Sequence, residues 1–260
     1  MGWSLHHPHG LIYHAPQYCY RGYTLFANLR GYDANLIDME GRICHRWHWP
    51  GGINYANLLP NGNLLFLSTA PEEKLPMTGI GGHAGGLVEL DWDGNVVWEM
   101  VNPWVHHDFQ RLGNGNTLAL MWEELSSEMT LQVKGGFTTS DDPAQMLGDV
   151  VREFTLSGEV VHEWKAWEHL NFDEDVICPL EGRREWTHGN SINVTADGDY
   201  LVSFRQTSTV GIVAKESGKF TWKWGPGDVS HQHNPSFLDN GRVLLFDNGS
   251  HRRAPNTNYS

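Results

Sequence analysis

Apolar and polar residues alternate with a period of two through most of the chain, in short runs cut by glycine. Four segments share one phrase: an acidic or small residue, a glycine, then alternating aromatic positions. They are MEGRICHRW (39–47), WDGNVVWEM (92–100), LSGEVVHEW (156–164) and ESGKFTWKW (216–224). Four residues after the glycine stand His45, Trp98, His162 and Trp222, and six after it Trp47, Met100, Trp164 and Trp224. Alternation that resumes after a glycine turn marks the second strand of a hairpin. A second phrase interleaves with the first: LLPNGNLLFL (58–67), RLGNGNTLAL (111–120), VTADGDYLVSF (194–204) and FLDNGRVLLF (237–246). Each reads as strand, Asn-Gly or Asp-Gly turn, strand. Together the phrases make one unit of two hairpins, a four-stranded sheet, repeated along the chain.

Repeated four-stranded units predict an all-β fold, a β-propeller of four-stranded blades, with a β-sandwich as the alternative. About five blades are visible, the first only partly present, and about six are expected in a closed ring. The last hairpin, 237–246, has no second phrase after it, so its blade is completed by residues beyond Ser260 or by segment 11–35. The reading is one propeller domain over 1–260, with 1–22 as a lead-in. Two insertions, 70–86 and roughly 123–148, and a long connection, 165–186, interrupt the repeat. The second insertion is expected to hold a short helix. Long loops on rigid sheets are the usual place for recognition.

Composition narrows the partners. The 31 acidic and 18 basic residues give a formal charge of −13 at pH 7. That balance argues against nucleic acid, whose phosphates need Lys and Arg, and against an anionic membrane. A small aromatic or anionic substrate remains open, because a few cationic side chains can reverse the field inside a cleft. The three cysteines, Cys19, Cys44 and Cys178, are an odd number without metal-ligand spacing and read as reduced thiols. With no signal-peptide pattern at the start and no apolar run of membrane-spanning length, the expected location is cytoplasmic. Oligomeric state is left open.

Chemistry gathers ahead of the Asn-Gly hairpins. There the chain carries HHD (106–108), HGNS (188–191) and HQHNP (231–235), and the first unit has Asn54 instead. His107 and His233 both stand seven residues before the asparagine of their turn. His188 stands nine before Asp197, read as a two-residue insertion. Three units thus aim imidazoles at one axis, against the alternative of coincident core histidines.

The pieces GGLVELDWDGNVVWEM, HHDFQRLGNGNTLAL, EWTHGNSINVTADGDYLVSFRQ and WGPGDVSHQHNPSFLDNGRVLLFDNG, in this order, resemble the arylsulfotransferase family, from about residue 23 onward. The resemblance implies a six-bladed propeller with a histidine nucleophile. It puts His233 at the position of the histidine that takes the sulfuryl group. His188 and Asn190 match the family's sulfate-binding pair, Arg205 its sulfate-binding arginine, and His107 a further histidine on the phenol side. His106 and Arg252 are expected to contact substrate. The implied reaction is ping-pong transfer from an aryl sulfate to a phenol, with no cofactor and no metal. Many members are secreted with an N-terminal β-domain and a disulfide; this chain shows no signal-peptide pattern, little room for that domain and an odd number of cysteines, which are points of departure.

Two rival readings stand. One is a metal enzyme, with His107, His188 and His233 as ligands and His83 or His106 as a fourth; Arg205 argues for an anion there instead. The other is a non-catalytic propeller scaffold. Glu185 either orients His188 or is a surface carboxylate. Asp108 caps a turn. Arg252 and Arg253 reach an anion or form a solvated loop pair. His45 and His162 pack, and His6, His7 and His9 lie in a loop. Cys178 is expected to be a buried thiol without a base beside it.

Overall fold

A computed structural model describes residues 11–29, 31–71, 74–139 and 145–252. His6, His7, His9 and Arg253 lie outside the described residues. The fold is all-β, and every glycine turn of the two phrases forms. Gly41, Gly94, Gly158 and Gly218 have φ between 68° and 85°, and Gly62, Gly115, Gly198 and Gly241 between 77° and 88°. A Cβ is disfavoured at such angles, so the hairpins depend on glycine there. In the second set the hydrogen bonds repeat turn for turn: Leu59 N to Asn63 O, Leu112 N to Asn116 O, Thr195 N to Asp199 O and Leu238 N to Arg242 O, all at 2.8 Å.

Packing divides the chain into two compact units, Met1–Ala70 with Gly86–Val101, and Pro71–Gly85 with Asn102–Ser260. The first unit holds β1 (Thr24–Ala27), β2 (Gly31–Ile37), β3 (Ile43–Leu58), β4 (Leu64–Ser68), β5 (Gly86–Leu90) and β6 (Val96–Val101) in sequential order in one sheet. β3 serves two neighbours. Ile43–His48 pairs with β2 and Ile53–Leu58 with β4, and Gly52 in between takes a φ of 82°. Trp47, Ile53, Leu64, Phe66, Val88 and Leu90 are buried together as its core. Each such side chain contributes roughly 1.5–3 kcal/mol by leaving water. His45 stacks on Trp92 at 3.9 Å, a packing role as expected from its place in the repeat.

The second unit holds β7 (Val105–Arg111), β8 (Thr117–Glu124), β9 (Gly135–Phe137), β10 (Leu147–Phe154), β11 (Val160–Lys165), β12 (Ile177–Gly182), β13 (Gly189–Val194), β14 (Tyr200–Phe204), β15 (Thr209–Val213), β16 (Phe220–Trp224), β17 (His233–Phe237) and β18 (Val243–Phe246). β7, β8, β10 and β11 form one four-stranded antiparallel sheet and β13 to β16 another, while β17 and β18 form a hairpin. A core of Leu118, Val151, Trp164, Tyr200, Val202 and Phe204 joins the two larger sheets.

The 123–148 insertion contains the expected short helix, α1 (Ser127–Gln132), capped by the Ser126 hydroxyl accepting from Met129 N at 3.2 Å. β9 pairs in parallel with β12, from the 165–186 connection. Arg183 fastens them by donating to the carbonyls of Gly135, Thr130 and Val133. No helix among the described residues is long and apolar enough to cross a membrane.

Candidate functional site

The conserved turn geometry gives a ruler for the histidines. Counted back from the residue that opens each turn (59, 112, 195, 238), the fifth residue is Asn54, His107, Asn190 or His233. The seventh is Gly52, Val105, His188 or His231. His188 therefore shares its position with His231, and no two-residue insertion separates it from the others. All four strands bulge near this point, β3, β13 and β17 by one residue and β7 by two, since Val105 opposes Met121 and Phe109 opposes Ala119. His107 stands within the β7 bulge. His107, His188 and His231 all take a left-handed backbone, with φ of 51°, 52° and 58°. Non-glycine residues pay for that conformation, and such residues cluster at functional sites.

His107 is set by what lies behind it. His106 is fully enclosed, stacked on Trp122 at 4.1 Å, with its Nε2 3.1 Å from Asp149 Oδ1. Its Nδ1 lies 2.9 Å from His107 Nδ1. Assigned from these partners, a hydrogen on His106 Nε2 faces the carboxylate, His106 Nδ1 accepts from His107 Nδ1–H, and His107 Nε2 keeps its lone pair. Burial pushes the His107 ring well below its usual pKa, helped by the nearby His188, His106, His233 and Arg205. His107 is thus neutral near pH 7. His106, expected at the substrate, stands instead behind His107.

The 70–86 insertion closes against this pair. His107 N donates to Gly82 O at 2.8 Å, and a Cβ on Gly82 would sit 1.9 Å from His107 Cε1. His83 and His106 form a backbone bridge. Asp108 does not orient a base: its carboxylate is buried and accepts from Phe109 N and Ile192 N, and burial raises its pKa to about 7.

His188 is built in the opposite sense. Its Nδ1 lies 2.5 Å from Glu185 Oε1, and Glu185 is itself buried, receiving Trp122 Nε1–H at 3.2 Å. Of the two roles open to Glu185, orienting His188 is the one the geometry shows. Burial works against charge on His188, but the Glu185 carboxylate outweighs it and raises the pKa. The His107 and His188 rings meet edge to face at 4.5 Å between centroids.

His233 holds its Nδ1 toward two acceptors, His231 O at 3.1 Å and Asn248 Oδ1 at 2.7 Å. A backbone carbonyl can only accept, so Nδ1 carries the hydrogen and Nε2 is left with a lone pair. Burial lowers the His233 pKa, with His188 and Arg205 near enough to contribute. Arg205 donates to Glu181 Oε1 at 2.8 Å. Burial alone would raise Glu181, but His231 and Arg205 hold it at about 2. Asn190 spends one amide hydrogen on Gln232 O at 2.8 Å.

A cavity of about 560 Å³ opens beside His188 and Arg205, while His107, Asn190 and His233 are not among its walls. Gly81, Phe137, Glu181, Arg184, His188 and Arg205 are among its walls. It brings two guanidinium groups, an aromatic ring and His188 to one space. Arg252 lies elsewhere, ion-paired with Asp247, and lines a second cavity with Cys178 and His251.

Three groups escaped sequence reading. Asp149 gave a signal, being an acidic residue in the otherwise apolar run MLGDVV. Glu181 and Gly82 gave none. Among the described residues, the group of three donors close enough for a metal is Cys178, His231 and His251, not the His107, His188 and His233 of the rival metal reading. Cys178 is partly exposed, with His251 Nδ1 3.5 Å from its sulfur, and so is not a buried thiol without a base.

Among solved structures, a protein of unknown function from Bacteroides caccae is 17% identical, with a TM-score of 0.50 over 86% of this chain and 64% of that one. Virginiamycin B lyase from Staphylococcus aureus is 13% identical, with a TM-score of 0.47 over 86% and 62%. The Cps50 (Swd1) β-propeller domain from Myceliophteria thermophila is 13% identical, with a TM-score of 0.43 over 86% and 58%. This chain spans less than two-thirds of each. No curated protein sequence matches it. The sequence model of the family described as Arylsulfotransferase (ASST) matches residues 36–230, a stretch that contains His107, His188, Asn190 and Arg205 and ends just before His231. That stretch is three-quarters of the chain, and the protein belongs to the arylsulfotransferase family.

Proposed function

We propose that this protein transfers a sulfuryl group from an aryl sulfate to a phenolic acceptor, on a β-propeller scaffold, through His233. The observation that carries the reading is the division of labour among three neighbouring imidazoles. His107 and His233 are held neutral with Nε2 free, while His188 is held toward its cationic form by Glu185.

Sulfuryl transfer spreads charge over three equatorial oxygens and needs fixed cations and donors around them. Arg205 offers a planar fork at the cavity wall, and His188 an imidazole that Glu185 biases toward its cation. In the first half-reaction His233 Nε2 forms a bond to sulfur, the S–O bond to the aryl group breaks, and the aryl oxygen leaves as phenolate. In the second half, the acceptor oxygen attacks sulfur as His107 Nε2 takes its proton, and the N–S bond breaks. That proton returns to the released phenolate, so the ring is restored and charge balances. A neutral imidazole is a competent nucleophile and base near pH 7. Phe137 in the cavity wall suits an aromatic substrate. The unpaired Cys19, Cys44 and Cys178 are in keeping with a reducing, cytoplasmic setting.

Incubation with an aryl sulfate, read by phenol release and intact mass, tests the reading. One sulfuryl adduct per chain is expected, discharged by added phenol and lost in His233→Ala. Undiminished turnover by that variant, or neither adduct nor phenol release across several aryl sulfates, overturns it.

A further inference from the structure

We infer that Cys178, His231 and His251 bind a divalent transition metal of the zinc type, with Glu181 as fourth ligand, at a site that adjoins Arg205 through Glu181 but uses none of His107, His188 and His233. The inference stands independently of sulfuryl transfer. Three chain segments far apart in sequence meet there: β12 gives Cys178, the lead-in to β17 gives His231, and the turn after β18 gives His251. Their donor atoms all lie within 4.8 Å of one another.

Three of the donor pairs have the spacing a tetrahedral ion asks for. Zinc–sulfur and zinc–nitrogen bonds of about 2.3 and 2.0–2.1 Å require donors about 3.5 Å apart. Cys178 Sγ is 3.5 Å from His251 Nδ1. Glu181 Oε1 is 3.1 Å from His231 Nε2 and 3.6 Å from His251 Nδ1. The rings of His231 and His251 stand edge to face at 4.7 Å.

His231 carries the second, independent observation. It is 1% exposed, and its Nε2 is buried without a well-aligned hydrogen bond, despite the nearby Glu181 oxygen. Its Nδ1 lies 2.8 Å from the Ser250 carbonyl, which can only accept. A hydrogen therefore sits on Nδ1, and Nε2 is aimed into the cluster, where a metal would take the place of a proton shared with Glu181. An imidazole fixed by a backbone carbonyl through one nitrogen, with the other presented inward, is the arrangement metal-binding histidines take. A backbone φ of 61° at His251 and 58° at His231 points both toward a conformation held for a purpose.

The donor set selects the ion. One thiolate, two imidazoles and a carboxylate suit zinc over magnesium or calcium, which take oxygen ligands. Binding replaces the Cys178 thiol proton, which passes to buffer. A cavity of about 360 Å³, lined by Cys178, Ser230 and His251, offers the way in.

Cobalt(II) reports such a site directly. The full chain, stripped of metal by chelator, is titrated with cobalt while absorbance is recorded. Saturation at one equivalent is expected, with a near-ultraviolet thiolate-to-cobalt band that zinc abolishes. Cys178→Ser should lose that band, and His251→Ala should bind at least tenfold more weakly, about the least that outer-shell losses cost. Both residues reach the surface, so thermal unfolding of the metal-free variants should match the metal-free parent. Failure to take up one equivalent, uptake without the thiolate band, or full affinity in both variants overturns the site.

Discussion

The sheet that opens at His188 and the hairpin that opens at His231 place a histidine at the same point of the repeat, seven residues ahead of the turn-opening residue. Both backbones are left-handed, and both imidazoles approach a glutamate. The nitrogens are exchanged. His188 turns Nδ1 to Glu185, whereas His231 turns Nδ1 to a carbonyl and Nε2 to Glu181. A carboxylate on Nδ1 supports a cation that can hold an anion at the cavity. A carbonyl on Nδ1 fixes one hydrogen there and turns Nε2 toward the Cys178 and His251 cluster. One repeat position thus supports two chemistries, chosen by the partner of a single nitrogen.

The largest effect is expected from Glu185→Gln, which keeps a hydrogen-bond acceptor and removes the charge. Glu185 raises the His188 pKa, so the His188 cation persists to higher pH in the parent. Transfer should fall on the alkaline side as His188 loses its proton, and on the acid side as His107, held low, gains one. In Glu185→Gln the alkaline limb should move to lower pH while the acid limb stays. At slightly alkaline pH, kcat/KM should drop about 10²-fold or more, within the range a positioned acid or base contributes. An unmoved alkaline limb would mean that His188 is no cation in the cycle, and the contrast with His231 would lose its basis.

Gly82→Ala comes next. The new Cβ would overlap the His107 ring, and the φ of 78° adds backbone strain. Displacing a reacting group by about 1 Å can cost 10²-fold in rate. A loss near that size in kcat is expected, with adduct formation at His233 retained when the acceptor is omitted. Loss of the adduct itself would move His107 out of the second half-reaction. Cobalt binding, which uses other residues, should not change.

These pairs also show what a sequence can carry. The hairpins were legible because a left-handed turn demands glycine locally, and the demand recurs at Gly62, Gly115, Gly198 and Gly241. His107 and His188 could be singled out by their place ahead of the turns, and Asn190 and Arg205 by the resemblance. Their settings were not legible, because the second partner arrives through packing. Asp149 reaches His106 from another strand, and Cys178 meets His251 across 73 positions. Bulges also escape counting: the extra residues near His107 change which side chains share a level without altering any turn.

The smallest effect concerns Glu181, the counterpart of Glu185. Glu181 donates no orientation to a reacting ring; it occupies the Arg205 guanidinium at 2.8 Å and competes there with an incoming anion. In metal-stripped protein, Glu181→Gln should therefore lower the KM for an aryl sulfate a few-fold and leave kcat nearly unchanged. The modest size follows from the small worth of a partly exposed ion pair, about 0.2–1 kcal/mol. Steady-state kinetics on both glutamine variants set the two carboxylates side by side. A fall in kcat like that of Glu185→Gln would show that Arg205 needs Glu181 to hold its place. The two glutamates would then both serve the reacting groups, one through an imidazole and the other through a guanidinium.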